Sequence, residues 1–115
     1  MPAALAVSTE THGDVTVALA PQDLADEHAA AFAADVRGLI RAGRTRLVVR
    51  LDRCESVDGP GLEALLDLRD AALDAGGAVS VMGLAGPCAD AFRVTRLGRR
   101  FEAFDDLIPA VNAVR

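Results

Sequence analysis

The sequence predicts an α/β protein built on a mixed sheet of four or five strands with about four helices, in the order β-β-α-β-α-β-α-(β)-α. Three observations carry this. Residues 45–52, "TRLVVRLD", hold a short apolar run between charged residues, as a buried strand does. Residues 62–77, "LEALLDLRDAALDAGG", repeat apolar side chains at helical spacing and close on paired glycines. Gly and Pro punctuate the chain between and after these runs, so that strands and helices alternate. Such alternation covers at least one face of the sheet with helices.

Taken in order, residues 4–9 ("ALAVST") and 14–20 ("DVTVALA") read as two short strands joined by a turn at His12-Gly13-Asp14. A helix follows within residues 21–44, where Phe32, Val36, Leu39 and Ile40 recur at helical spacing. Its acids Asp26 and Glu27 lie near the start and Arg37, Arg41 and Arg44 near the end, which suits the helix dipole, and Gly43 is a natural stop. After the strand at 45–52 and the helix at 62–77, "AVSVMGL" gives a further strand, and "CADAFRVTRLG" a third helix. "FEAF" is a short strand, and "DDLIPAVNAV" a last helix with Pro109 in its first turn. The run "LVVRL" is expected at the sheet centre with "AVSVMGL" parallel beside it. Leu47, Val49, Leu51, Leu65, Leu66, Val79, Val81, Phe92 and Leu97 are expected to be buried.

With 115 residues and 51% apolar content, the chain suits one domain with a substantial core. The net charge of −5 argues against nucleic acid and against anionic membrane as partners. No apolar run approaches the length of a membrane span, and "MPAALAVSTE" lacks the features of a signal peptide, so a cytoplasmic protein without membrane insertion is expected. Cys54 and Cys88 lie far apart in sequence, without metal-ligand spacing, and read as small buried hydrophobes. His12 and His28 lack nucleophile or metal partners, and Asp105-Asp106 reads as a helix start. No catalytic residue, metal site or cofactor is expected.

The stretch "SVDGPGLEALL" joins strand to helix. Gly59 falls at the expected N-cap and Pro60 at the first helical position, both favourable there. As an anion site the turn is poor. Pro60 removes a backbone donor, Asp58 adds negative charge, and no Lys or Arg compensates. In the following helix Leu62, Leu65, Leu66, Leu68, Ala72 and Leu73 form one broad face, with Arg69 inside it. Glu63, Asp67, Asp70 and Asp74 form an acidic stripe on the other side, with no basic residue interleaved in the stripe. Like charges so spaced weaken a helix slightly, so the stripe is either a solvated face or a surface for a basic partner.

The segments "LVVRLDRCESVDGPGLEALL", "DAGGAVSVMGL", "FRVTRLG" and "FEAFDD" together resemble the STAS domain of bacterial anti-sigma factor antagonists. That family carries a strand, an Asp-Ser-Ser/Thr-Gly-Leu turn, a helix closed by Gly-Gly, and a strand ending Gly-Leu. A helix with Thr-Gly-Leu and a Phe-x-x-Phe-Asp before the last helix complete it. The resemblance implies one STAS-like domain over residues 1–115. It implies a non-catalytic, cytoplasmic protein-binding module whose partner is a histidine-kinase-like anti-sigma factor, with the hinge and the next helix facing that partner. Asp58 then matches the family Asp, Gly61 and Leu62 its Gly-Leu, and Gly59 stands at the phosphoacceptor position. Pro60 stands at the second hydroxyl position. Neither has a hydroxyl, so the implied module lacks the usual phospho-switch. Ser56 lies before the turn and does not replace it. The implied partner surface is Asp58, Gly59, Pro60, Gly61, Leu62, Glu63, Asp67 and Asp70. An accessory STAS subunit of a lipid-transport or other multiprotein complex is the alternative.

Overall fold

A computed structural model describes residues 7–95 and 99–115. The elements are β1 (Thr9–His12), β2 (Val15–Leu19), β3 (Asp23–Leu24), α1 (Asp26–Arg41), β4 (Arg46–Arg50) and β5 (Ser56–Val57). They continue with α2 (Gly59–Asp74), β6 (Ala78–Met82), α3 (Gly86–Val94), β7 (Glu102–Phe104) and α4 (Leu107–Ala113). Five strands form one mixed sheet in the order β1-β2-β4-β6-β7. β1 is antiparallel to β2, and the other neighbours are parallel. β4 is therefore central with β6 parallel beside it, as the apolar run "LVVRL" predicts. β3 and β5 pair in parallel as a separate two-stranded ribbon.

Alternation along the strands sorts side chains onto two faces. Ala18, Leu47, Val49 and Val81 meet Phe32 and Val36 of α1, Leu65 and Leu68 of α2, and Phe92 of α3 in the larger core. Val15, Val17, Val48 and Met82 meet Ala110 and Val111 of α4 in the smaller one. α4 is short, and its last carbonyls have no partner within the helix. The sheet supplies two: Ser80 Oγ donates to the Ala110 carbonyl at 2.9 Å, and Arg46 Nη1 to that of Val114 at 2.9 Å. Pro109 lies in the first turn of α4, where its missing N–H costs nothing.

The first strand differs from the sequence reading. Of residues 4–9, residues 4–6 lie outside the described residues, and the strand that pairs with β2 is the polar run Thr9–His12. The hairpin turn sets this register, pairing His12 with Val15. A solvated edge strand needs no apolar residues. The ribbon β3–β5 carries no periodic signal, because each strand has only two residues. α3 begins at Gly86, before the expected "CADAF".

Leu47, Val49, Leu51, Leu65, Val81 and Phe92 are buried as expected. Leu66 and Val79 are only partly buried against the larger core, and Leu73 is 45% exposed. The expected face of α2 included Ala72 but left out Gly61 and Ala64. The small residues Gly61, Ala64 and Ala72 are buried, and they centre the face away from Leu66 and Leu73. Leu97 lies outside the described residues.

Candidate functional site at the strand-to-helix hinge

The hinge is assembled from two distant segments. The Gln22 carbonyl accepts from the N–H groups of Glu55 at 2.7 Å and Ser56 at 3.3 Å. Asp23 and Leu24 then pair with Ser56 and Val57, and the Ser56 hydroxyl donates to the Asp23 carboxylate. The Asp58 N–H donates to the Leu24 carbonyl at 3.4 Å. The segment ahead of α1 thus holds the residue that opens α2.

Asp58, not Gly59, is the N-cap of α2. Its φ of −111° and ψ of −176° are extended, and its Oδ1 accepts from the Gly61 N–H at 2.8 Å. A carboxylate satisfies an orphan helix donor that glycine cannot, which is why the cap falls one residue earlier than the sequence reading placed it. Gly59 and Pro60 follow as the first two helical residues. Oδ2 of the same carboxylate accepts from the Asp26 N–H at 3.1 Å, at the start of α1. Asp26 takes a left-handed φ of 49°, a conformation that Asp tolerates better than most residues. One side chain therefore fastens the N-termini of both long helices. Nothing in the sequence marks this second role, since the partners are a backbone N–H and a carboxylate far apart along the chain.

Gly61 is buried because the chain crosses there at close range. A Cβ would run into the carbonyl oxygen of Leu24. Leu62 is also buried, in the larger core. Gly59 and Pro60 are exposed, and a Cβ on Gly59 would meet nothing within 4 Å. Glu63, Asp67 and Asp70 are exposed along the same helix. Asp67 lies 3.6 Å from Arg37 of α1, and Asp70 3.4 Å from Arg69. The stripe thus has basic company across the helix pair, which the spacing within α2 alone did not show. Arg69, on the expected apolar face, emerges to make its pair.

Beside the hinge an open hollow of about 610 Å³ lies between α1 and the segment after β4, among Gln22, His28, Phe32, Asp35, Asp52 and Glu55. It was not legible in the sequence, since its walls come from four separate segments. Above it Arg50 grips Asp52 at 2.8 Å. That hydrogen bond holds the Asp52 carboxyl below its ordinary range and raises the Arg50 guanidinium. Among the described residues no three His, Cys, Asp or Glu side chains group as a metal site, and no helix is long and apolar enough to cross a membrane.

The family model described as "Mlab, STAS domain" matches residues 7–109. No curated protein sequence matches the chain. Among solved structures, a proposed anti-sigma factor antagonist from Thermotoga maritima superposes with a TM-score of 0.86 at 21% identity, covering 95% of this chain and 94% of that one. An anti-sigma factor antagonist from Mycobacterium paratuberculosis gives 0.81 at 19% identity, with 100% and 97% covered. The phosphorylated form of the Bacillus cell fate determinant SpoIIAA gives 0.73 at 17% identity, with 96% and 100% covered. At these identities the structures share the fold. The sheet order, the hinge that opens α2 and the family match over residues 7–109 lead to one conclusion: the chain belongs to the STAS-domain family.

Proposed function

We propose that this chain is a non-catalytic, cytoplasmic protein-binding module that acts in partner switching without phosphorylation at its hinge. The observation that supports it most is the hinge surface. The two outermost residues of the turn, Gly59 and Pro60, are exposed and carry no hydroxyl. Two rigid devices, the Asp58 carboxylate and the Leu24–Gly61 contact, present that turn to solvent. A histidine-kinase-like anti-sigma factor is the partner this reading assigns. Gly59, Pro60 and Glu63 would contact it directly, with Asp67 and Asp70 alongside. Asp58, Gly61 and Leu62 would act from beneath by setting the turn. No cofactor, metal or nucleic acid takes part.

The test is titration against such a kinase-like protein encoded in the same genome, with and without ATP, followed by intact-mass measurement. A complex that survives ATP, with the chain unmodified, is the expected result. Failure to bind, or phosphate mapped to Ser56 or to any residue from Val57 to Leu66, would overturn it. The missing hydroxyls also suit a second reading, an accessory subunit docked permanently in a lipid-transport or other multiprotein complex. Such a subunit needs no switch, and co-purification with a transporter ATPase would favour it.

A further inference from the structure

The hollow beside the hinge opens at the carboxyl ends of β2 and β4, two parallel neighbours. That end of a parallel sheet is where α/β proteins take small ligands. Its volume of about 610 Å³ falls within the range of about 300–1,000 Å³ usual for such sites. The wall on α1 comes from His28, Phe32 and Asp35, whose spacing puts them on one face of the helix. Arg37, which reaches α2 through Asp67, lies on the opposite face. Leu19, Ala20 and Phe32 give the hollow an apolar part, with Ala20 only 2% and Phe32 4% exposed. Apolar surface beside a few polar groups is the usual composition of a small-molecule site.

The polar groups select the charge of the occupant. Asp52 already has Arg50 as its partner at 2.8 Å. Asp35 is partly buried and Glu55 exposed, and among the described residues neither pairs with a cation. The Glu55 carboxylate accepts from the side-chain amide of Gln22, which brings no charge. Arg53 is the one guanidinium in the wall among the described residues. Two carboxylates without a cation, against one guanidinium, repel a phosphate or a carboxylate and attract an ammonium. We propose that the hollow is a binding site for a small organic cation, a primary ammonium on an apolar body, whose occupancy is felt at the hinge. The ammonium is held by Asp35, and the body covers Phe32 and Leu19. The link to the hinge runs through Gln22 and Glu55, which line the hollow. The Gln22 carbonyl accepts from the Glu55 and Ser56 amides, the clasp that leads into the turn. A ligand that spans from Asp35 to Glu55 holds this clasp closed. Control of a partner by such a ligand rests on the proposed function, whereas the site itself does not.

The probes are tryptamine, tryptophol and indole-3-propionate, which share an indole body and carry an ammonium, a hydroxyl and a carboxylate. Each is titrated into the isotope-labelled full chain while the amide resonances are followed. Tryptamine should shift the Phe32 and Asp35 amides saturably and bind at least about tenfold more tightly than either analogue, as a charge-assisted hydrogen bond implies. Asp35→Asn should keep the melting temperature and weaken tryptamine to the level of tryptophol. At saturation the Glu55 and Ser56 amides should exchange with deuterium more slowly. The absence of a saturable shift, equal affinity for the three probes, or shifts confined to the acidic stripe of α2 would overturn the proposal. Binding in the hollow that leaves Glu55 and Ser56 exchange unchanged would overturn its link to the hinge. No partner enters this experiment, so a failure to bind an anti-sigma factor and a failure to bind tryptamine are separate results.

Discussion

Gly61 and Gly59 stand two positions apart in the same turn, and the structure asks opposite things of them. Gly61 faces the Leu24 carbonyl with no room for a methyl group, so Gly61→Ala must push β3 away from the helix start. Overpacking of this kind costs about 1–3 kcal/mol, and a backbone obstacle yields less readily than a side chain. Gly59→Ser meets open space and should change stability by less than about 0.5 kcal/mol, the usual range for surface substitutions. Urea denaturation of the two variants checks both. Asp52 gives a test by pH. Its carboxyl is held below the ordinary range by the Arg50 hydrogen bond, so it contributes stability above its unfolded pKa that is lost as pH falls through the folded value. Replacing Arg50 by Gln should move the Asp52 titration upward, as followed by the side-chain carboxyl resonance. An unmoved titration would show that another group sets it.

α1 and α2 lie side by side on the same face of the sheet, and their one ion pair across the gap is Arg37 with Asp67 among the described residues. Both side chains are largely exposed, so the pair is worth at most about 1 kcal/mol. Asp67→Arg sets two guanidiniums together and should lower stability by a similar amount. Glu63→Arg and Asp70→Arg avoid Arg37 and test the stripe more cleanly. If the stripe steers a basic partner, the double variant should slow association and flatten its salt dependence while leaving the denaturation midpoint nearly unchanged. Association rates equal to wild type at low and high salt would return the stripe to a solvated face. α1 and α2 were legible because each repeats a helical period over 16 residues, and β4 and β6 because each is a short apolar run bounded by charged or turn residues. Two-residue strands repeat nothing. The cap was misplaced by one residue because setting Pro60 at the first helical position puts Gly59 at the N-cap, while the side-chain hydrogen bond that decides the matter needs Asp58.

Across the whole molecule, order along the chain was easier to read than contact across it. Alternating strands and helices, with β4 central, follow from apolar patterning alone. The meeting of Arg37 with Asp67 and of the walls of the hollow by α1 does not, because each joins residues that share no local period. The Asp58 carboxylate is the strongest case. It holds the Gly61 and Asp26 amides at once, the second of them 32 residues away in sequence. Opening the start of α1 therefore removes a ligand from the same carboxylate that restrains α2, so the two amides should exchange with solvent deuterium as one cooperative unit. Asp58→Ala should accelerate both together, while amides in the middle of each helix keep their protection. Exchange that quickened at Gly61 alone would mean that the two helix starts open independently. If they open together, a partner that pulls on the exposed turn at Gly59 also loosens α1, and the hinge and the first helix report on binding as a single thermodynamic element.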